Sequence, residues 1–152
     1  MKRIVLGVIV VAASAMLASA EPAKDRYQPG LGEFMTATQL RHAKLWFAGK
    51  NANWGLAAYE VDEIKEGLED ASKLHATFEG IPVADMIKTI IEPRIEKLEK
   101  AIAAKSSTQF AAAFDDLTDG CNSCHAAANK PFIRIQRPTA PPLSNQDFTP
   151  PK

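Results

Sequence analysis

The hydrophobic positions of this chain recur at helical spacing in four segments, and no stretch alternates as a strand would. Residues 31–48 carry Met35, His42 and Trp46 at spacings of seven and four, a stripe that Leu31, Phe34 and Leu45 widen. Gly49 is expected to stop this helix and residues 51–53 to turn the chain. Across 54–78 the apolar line is Ala57, Val61, Ile64, Leu68, Ala71, His75 and Phe78. Its alternating steps of four and three are the seam of a helix bundle. Asp62, Glu63, Lys65, Glu66, Glu69, Asp70 and Lys73 occupy the opposite, solvated face, and Gly80 and Pro82 end the segment. Residues 83–105 follow with Ile87, Ile91, Ile95, Leu98 and Ile102. Pro93 lies inside that pattern and must kink or divide the helix, because it lacks an N–H and crowds the preceding turn. Ser106 and Ser107 are candidate N-caps for the last segment, 108–128. Its seam is Phe110, Phe114, Leu117, Cys121, Cys124 and Ala128.

Four such helices with short connections predict an all-α, antiparallel up-down four-helix bundle with a proline-rich C-terminal tail. In that topology the start of the first helix, the end of the second, the start of the third and the end of the fourth share one end of the bundle. Met35, His75, Met86 and residues 121–125 would then converge there. Trp46, Phe110 and Phe114 are expected in the core.

Composition changes at both ends. Lys2 and Arg3, an apolar stretch from Ile4 to Leu17 and the small residues Ala18-Ser19-Ala20 read as a secretory signal peptide, residues 1–20, cleaved near Ala20. The exported chain would hold one domain, residues 21–130, with no stable membrane span after cleavage, and a tail, residues 131–152, that contains six of the ten prolines. The tail's Phe132, Ile133, Ile135, Leu143 and Phe148 are enough apolar side chains to dock it on its own bundle or on a partner. Without Lys2 and Arg3 the chain has 16 basic and 18 acidic residues, a balance that predicts no nucleic-acid partner.

The chemistry lies in the cysteines. The chain has two, and both fall in the string Cys121-Asn122-Ser123-Cys124-His125. C-x-x-C-H is the attachment site of a c-type haem: two thiols add across the vinyl groups, and the adjacent histidine can ligate the iron. Chance would produce this spacing with a following histidine in roughly a few cases in ten thousand. A disulfide across one helical turn would staple almost nothing. A C-x-x-C redox centre lacks its β-α-β setting here, and a zinc site lacks two further ligands. No Ser-His-Asp arrangement, phosphate loop or paired-carboxylate motif suggests an enzyme. Because c-type attachment in bacteria is completed outside the cytoplasm, the export signal and the motif support each other.

A bundle with one C-x-x-C-H near the end of its last helix, and a Phe34-Met35 pair in its first, resembles the class II cytochromes c, which include cytochrome c′ and low-spin relatives. The likeness spans residues 31–130. It implies Cys121 and Cys124 as thioether attachments, His125 as the proximal iron ligand and Met35 as the distal one, all on a single covalent haem c. His42, His75 and Met86 are the alternative ligands, and an open distal site is the remaining one. His42 lies two turns from Met35, about 10 Å along the axis, so both cannot reach one iron. Lys130 weakly matches the basic residue expected after the motif, whereas the tail departs from the family's compact ending. The resemblance implies electron transfer with transient periplasmic redox proteins and allows a homodimer. Gas binding at an open iron site, or service as a haem subunit of a larger oxidoreductase, are the competing expectations.

Overall fold

The computed structural model describes residues 27–152, so the proposed signal peptide lies outside the described residues. Among the described residues the regular secondary structure is helical, and its four helices pack as a bundle. Helix α1 (Leu31–Lys50) starts where the Glu33 carboxylate accepts the Gly30 N–H at 2.7 Å. Helix α2 (Trp54–Leu74) starts at Asn53, whose side chain accepts the Leu56 N–H. Helix α4 (Ser107–Ala127) starts at Ser106, which caps Gln109. Each cap satisfies a donor that the first helical turn leaves without a partner.

Helix α3 shows what Pro93 does. It runs as an α-helical turn Val83–Met86, a π turn Ile87–Ile91 and a regular stretch Glu92–Ala103. The chain neither breaks nor separates: it widens for one turn just before the proline, which removes the crowding on the preceding carbonyls. Arg94 then occupies the irregularity. Its guanidinium donates to the Ile90 carbonyl at 2.6 Å, and Nε donates to the Asp116 side chain of α4 at 3.0 Å. Gly120 makes room for it, since a Cβ there would lie 2.6 Å from Arg94 Cδ.

Helix α2 ends earlier than the seam predicts. His75 leaves the helical conformation, and Phe78 reaches the bundle from a loop. Phe78 and Ile81 exchange backbone hydrogen bonds of 3.0 and 2.9 Å around Glu79 and Gly80, both with positive φ. Glycine is suited to the second of these positions. The step of three from His75 to Phe78 mimics a continuing helix, but the Glu79-Gly80 turn decides the path.

The core is fullest at one end. Trp46, Trp54, Phe110 and Phe114 form an aromatic cluster with ring centroids 5.0–6.2 Å apart. Glu60, on the same stripe of α2 as Ala57 and Ile64, is wholly buried; Lys44 lies 2.5 Å from one of its oxygens and Arg41 3.2 Å from the other. Two cations from α1 therefore offset the cost of burying that carboxylate. No helix among the described residues is long and apolar enough to cross a membrane.

Residues 131–152 contain only turns and bends, yet they lie along the bundle. Phe148 is buried against Phe47, with ring centroids 5.7 Å apart, and Asn53 donates to the Thr149 carbonyl at 2.9 Å.

Candidate functional site

The end of the bundle away from the aromatic cluster contains a cavity of about 390 Å³, within the range of cofactor pockets. Its walls come from every helix. Met35 lines it from α1, Ile64 and Leu68 from α2, Met86 and Ile87 from α3, and Leu117, Cys121, Cys124 and His125 from α4. Phe78 and Ile81 add to it from the loop after α2, and Ile133 and Ile135 from the tail. Among the walls, Thr36, Gln39, Glu79 and Lys130 supply polar groups, and Lys130 pairs with Glu79 at 3.0 Å.

Cys121 and Cys124 stand one turn apart on the same face of α4, half-buried because they wall the cavity, and neither is in a disulfide. Burial pushes the Cys121 thiol up to about 12, with a smaller contribution from the neighbouring Cys124. Burial also raises Cys124, against the opposing charge of Arg94. Both are therefore protonated at neutral pH. A thiol–disulfide centre needs the reverse, a lowered pKa that yields thiolate.

His125 is oriented from behind. Its Nδ1 lies 3.0 Å from the Ile133 carbonyl. A carbonyl can only accept, so Nδ1 carries the proton, and in the neutral ring the lone pair is left on Nε2. This is the arrangement by which a second hydrogen bond fixes the tautomer of a metal-ligating histidine.

The other candidates separate. Met86 lines the cavity, but His75 does not: its Nε2 donates to the Pro29 carbonyl at 2.8 Å and its ring meets Phe34 edge-on at 6.0 Å. The early end of α2 takes His75 off the seam on which the spacing placed it. His42 lines the cavity more deeply, with its ring 4.3 Å from that of Phe114. Its Nε2 lies 2.8 Å from Thr118 Oγ1. Because the Thr118 hydroxyl donates its own hydrogen to the Phe114 carbonyl, it accepts from His42.

Burial lowers the His42 pKa from 6.5 to about 4. Between those values the unfolded chain binds a proton that the folded protein does not. The contribution of neutral His42 is intact above pH 6.5 and is lost progressively as pH falls towards 4. At ~1.4 kcal/mol per pH unit the loss reaches about 3 kcal/mol. Urea unfolding at a series of pH values is expected to show this decline in the parent and a flatter profile in His42→Leu. Equal slopes in the two proteins would remove His42 as its source.

Sequence reasoning missed the tail's part in the site, the turn that delivers Phe78, and the role of Asn122, which bonds both backbone groups of Ile135. The Glu79-Gly80 pair was an available turn signal; for the tail there was no periodic one. The donor set fits a haem: two thiols at attachment spacing, the imidazoles of His125 and His42, the thioether sulfurs of Met35 and Met86, and apolar walls meet at a single cavity. Among the described residues no three His, Cys, Asp or Glu side chains gather as a metal cluster. The chain matches no family model, no curated protein and no solved structure.

Proposed function

We propose that this protein is a haem protein of the electron-carrier class. More narrowly, it is an exported monohaem c-type cytochrome of the class II kind, an antiparallel up-down bundle rather than an enzyme. One observation carries the reading: Cys121, Cys124, His125 and Met35, chosen by spacing and resemblance, all line the same cavity. The antiparallel arrangement is supported by the three-residue connections 51–53 and 104–106, and by the gathering of the first turns of α1 and α3 with the second halves of α2 and α4 around that cavity.

Haem iron supplies a one-electron ferric/ferrous couple. The chain does the rest. Cys121 and Cys124 tether the macrocycle as thioethers, so the cofactor survives dilution in the periplasm. On this reading His125 Nε2 and the Met35 sulfur would both ligate the iron in each redox state, which would keep reorganisation small; a methionine ligand favours the ferrous form and raises the potential. Leu68, Ile87 and Leu117 line the cavity and would exclude water from a bound iron. Partners would be periplasmic redox proteins that dock briefly through small interfaces, and a homodimer is compatible with the family likeness.

The test is the optical spectrum of the exported protein, ferric and ferrous, with and without carbon monoxide. A low-spin spectrum with a methionine-to-iron charge-transfer band, unchanged by the gas, is the expected result. A high-spin spectrum that shifts with carbon monoxide would replace electron transfer by gas binding at an open site. A protein with no covalent haem would overturn the reading altogether.

A further inference from the structure

The tail runs back along α4 against its direction, and its contacts come in order. Lys130 N–H donates to the His125 carbonyl at 2.8 Å, and Ile133 N–H to the Lys130 carbonyl at 3.0 Å. The Ile133 carbonyl then faces His125 Nδ1. Two residues on, Asn122 meets Ile135 twice: Nδ2 donates to the Ile135 carbonyl at 2.9 Å and Oδ1 accepts the Ile135 N–H at 2.8 Å. Asn122 therefore holds the tail as an adjacent strand would, immediately beyond the carbonyl that touches the histidine. Farther along, Arg137 pairs with both oxygens of Asp115 at 2.6 Å and stacks 4.4 Å from the Trp46 ring.

We propose that Asn122, the first variable residue of C-x-x-C-H, is a positioning residue for the proximal ligand. By clamping Ile135 it fixes the Ile133 carbonyl on His125 Nδ1, which sets the ring's tautomer and orientation and strengthens donation through Nε2. The inference rests on the haem reading above. Its physical basis is general: an acceptor on the outer nitrogen raises the basicity of a ligating imidazole. A more basic imidazole favours ferric over ferrous iron and lowers the potential. The contact between His125 Nδ1 and the Ile133 carbonyl is exposed, so water competes for the same nitrogen. The expected effect is accordingly about tenfold, the lower end of the range for such outer partners.

The rest of the tail has anchors of its own at Arg137, Phe148 and Asn53, so losing Asn122 frees chiefly the stretch beside His125. In the haem-loaded Asn122→Ala protein the midpoint potential is expected to rise as the ferrous form gains about tenfold, ~59 mV for one electron. In the Met35→Ala background, the iron–histidine stretching band of the ferrous protein is expected to move to lower frequency. Ile135→Pro removes the same N–H from the tail side, leaves α4 untouched and should act alike should Asn122→Ala not mature. Arg137→Ala, which loosens the tail far from His125, should keep the parent potential.

If haem is attached but both variants keep the parent's potential and band, Asn122 has no positioning role and the cytochrome reading stands. If Arg137→Ala shifts the potential as far as Asn122→Ala, tail docking in general is responsible and the assignment to Asn122 is overturned. Absence of haem from the parent would sink both readings together.

Discussion

Replacing both Cys121 and Cys124 by alanine is expected to leave the exported protein without covalent haem. Denaturing mass spectrometry reads this directly: the parent should weigh one haem more than its processed chain, and the double variant should weigh the chain alone. Each single variant should keep one thioether and attach haem in lower yield. The argument rests on placement as much as on the motif. Both sulfurs wall the same cavity, one helical turn apart on α4. The bundle should also feel the loss. With no macrocycle, the apolar side chains around the 390 Å³ cavity have nothing to pack against. A loss of ~3 kcal/mol would lower Tm by about 10 °C in a chain of this size. A double variant that still carried covalent haem would mean that another group had been alkylated, and the C-x-x-C-H assignment would be wrong.

The parts legible in the sequence were those in which one period governs. The stripes of α1, α3 and α4 lie where their spacing placed them, and Leu45, Ile64, Leu98, Phe110, Phe114 and Leu117 are fully buried. Met35, Met86, Cys121, Cys124 and His125 share a cavity because helical spacing and short connections suffice to bring them together. Period alone failed where a local backbone effect outweighed it. His75 fits the α2 seam by number, yet the helix ends at Leu74 and the ring turns to Pro29. Pro93 allowed two outcomes, and the π turn is a third that no propensity scale contains. Glu60 was hidden by its charge: it sits on an apolar stripe and is tolerated there only because Arg41 and Lys44 reach it from another helix. The tail was least legible. Its prolines and scattered apolar residues have no period, and its docking depends on individual partners such as Asn122 and Asp115, whose identity only the folded chain reveals.

Met35→Ala is the second large effect, and it decides between carrying electrons and binding gas. Met35, in the first turns of α1, lines the same cavity as His125. It is half-buried, so truncation costs less than the 2–5 kcal/mol typical of a fully buried methionine, and the variant is expected to fold. An internal ligand competes with any external one at a high effective concentration. Removing it should convert a low-spin iron that ignores carbon monoxide into one that binds it, a gain of at least ~100-fold in apparent affinity. The charge-transfer band of methionine-bound ferric iron should vanish in the same protein, and the potential should fall as the ferrous form loses its thioether. Met86 and His42 also line the cavity, so a six-coordinate spectrum could persist through either. Met86 would restore a thioether signature, and His42 a bis-histidine one. His42, however, already gives its Nε2 hydrogen to Thr118 and resists protonation through burial. Rotating it towards the iron would break that bond and disturb its packing on Phe114. If Met35→Ala keeps the parent's spectrum unchanged, Met35 is a core methionine and the distal ligand must be sought at Met86 first.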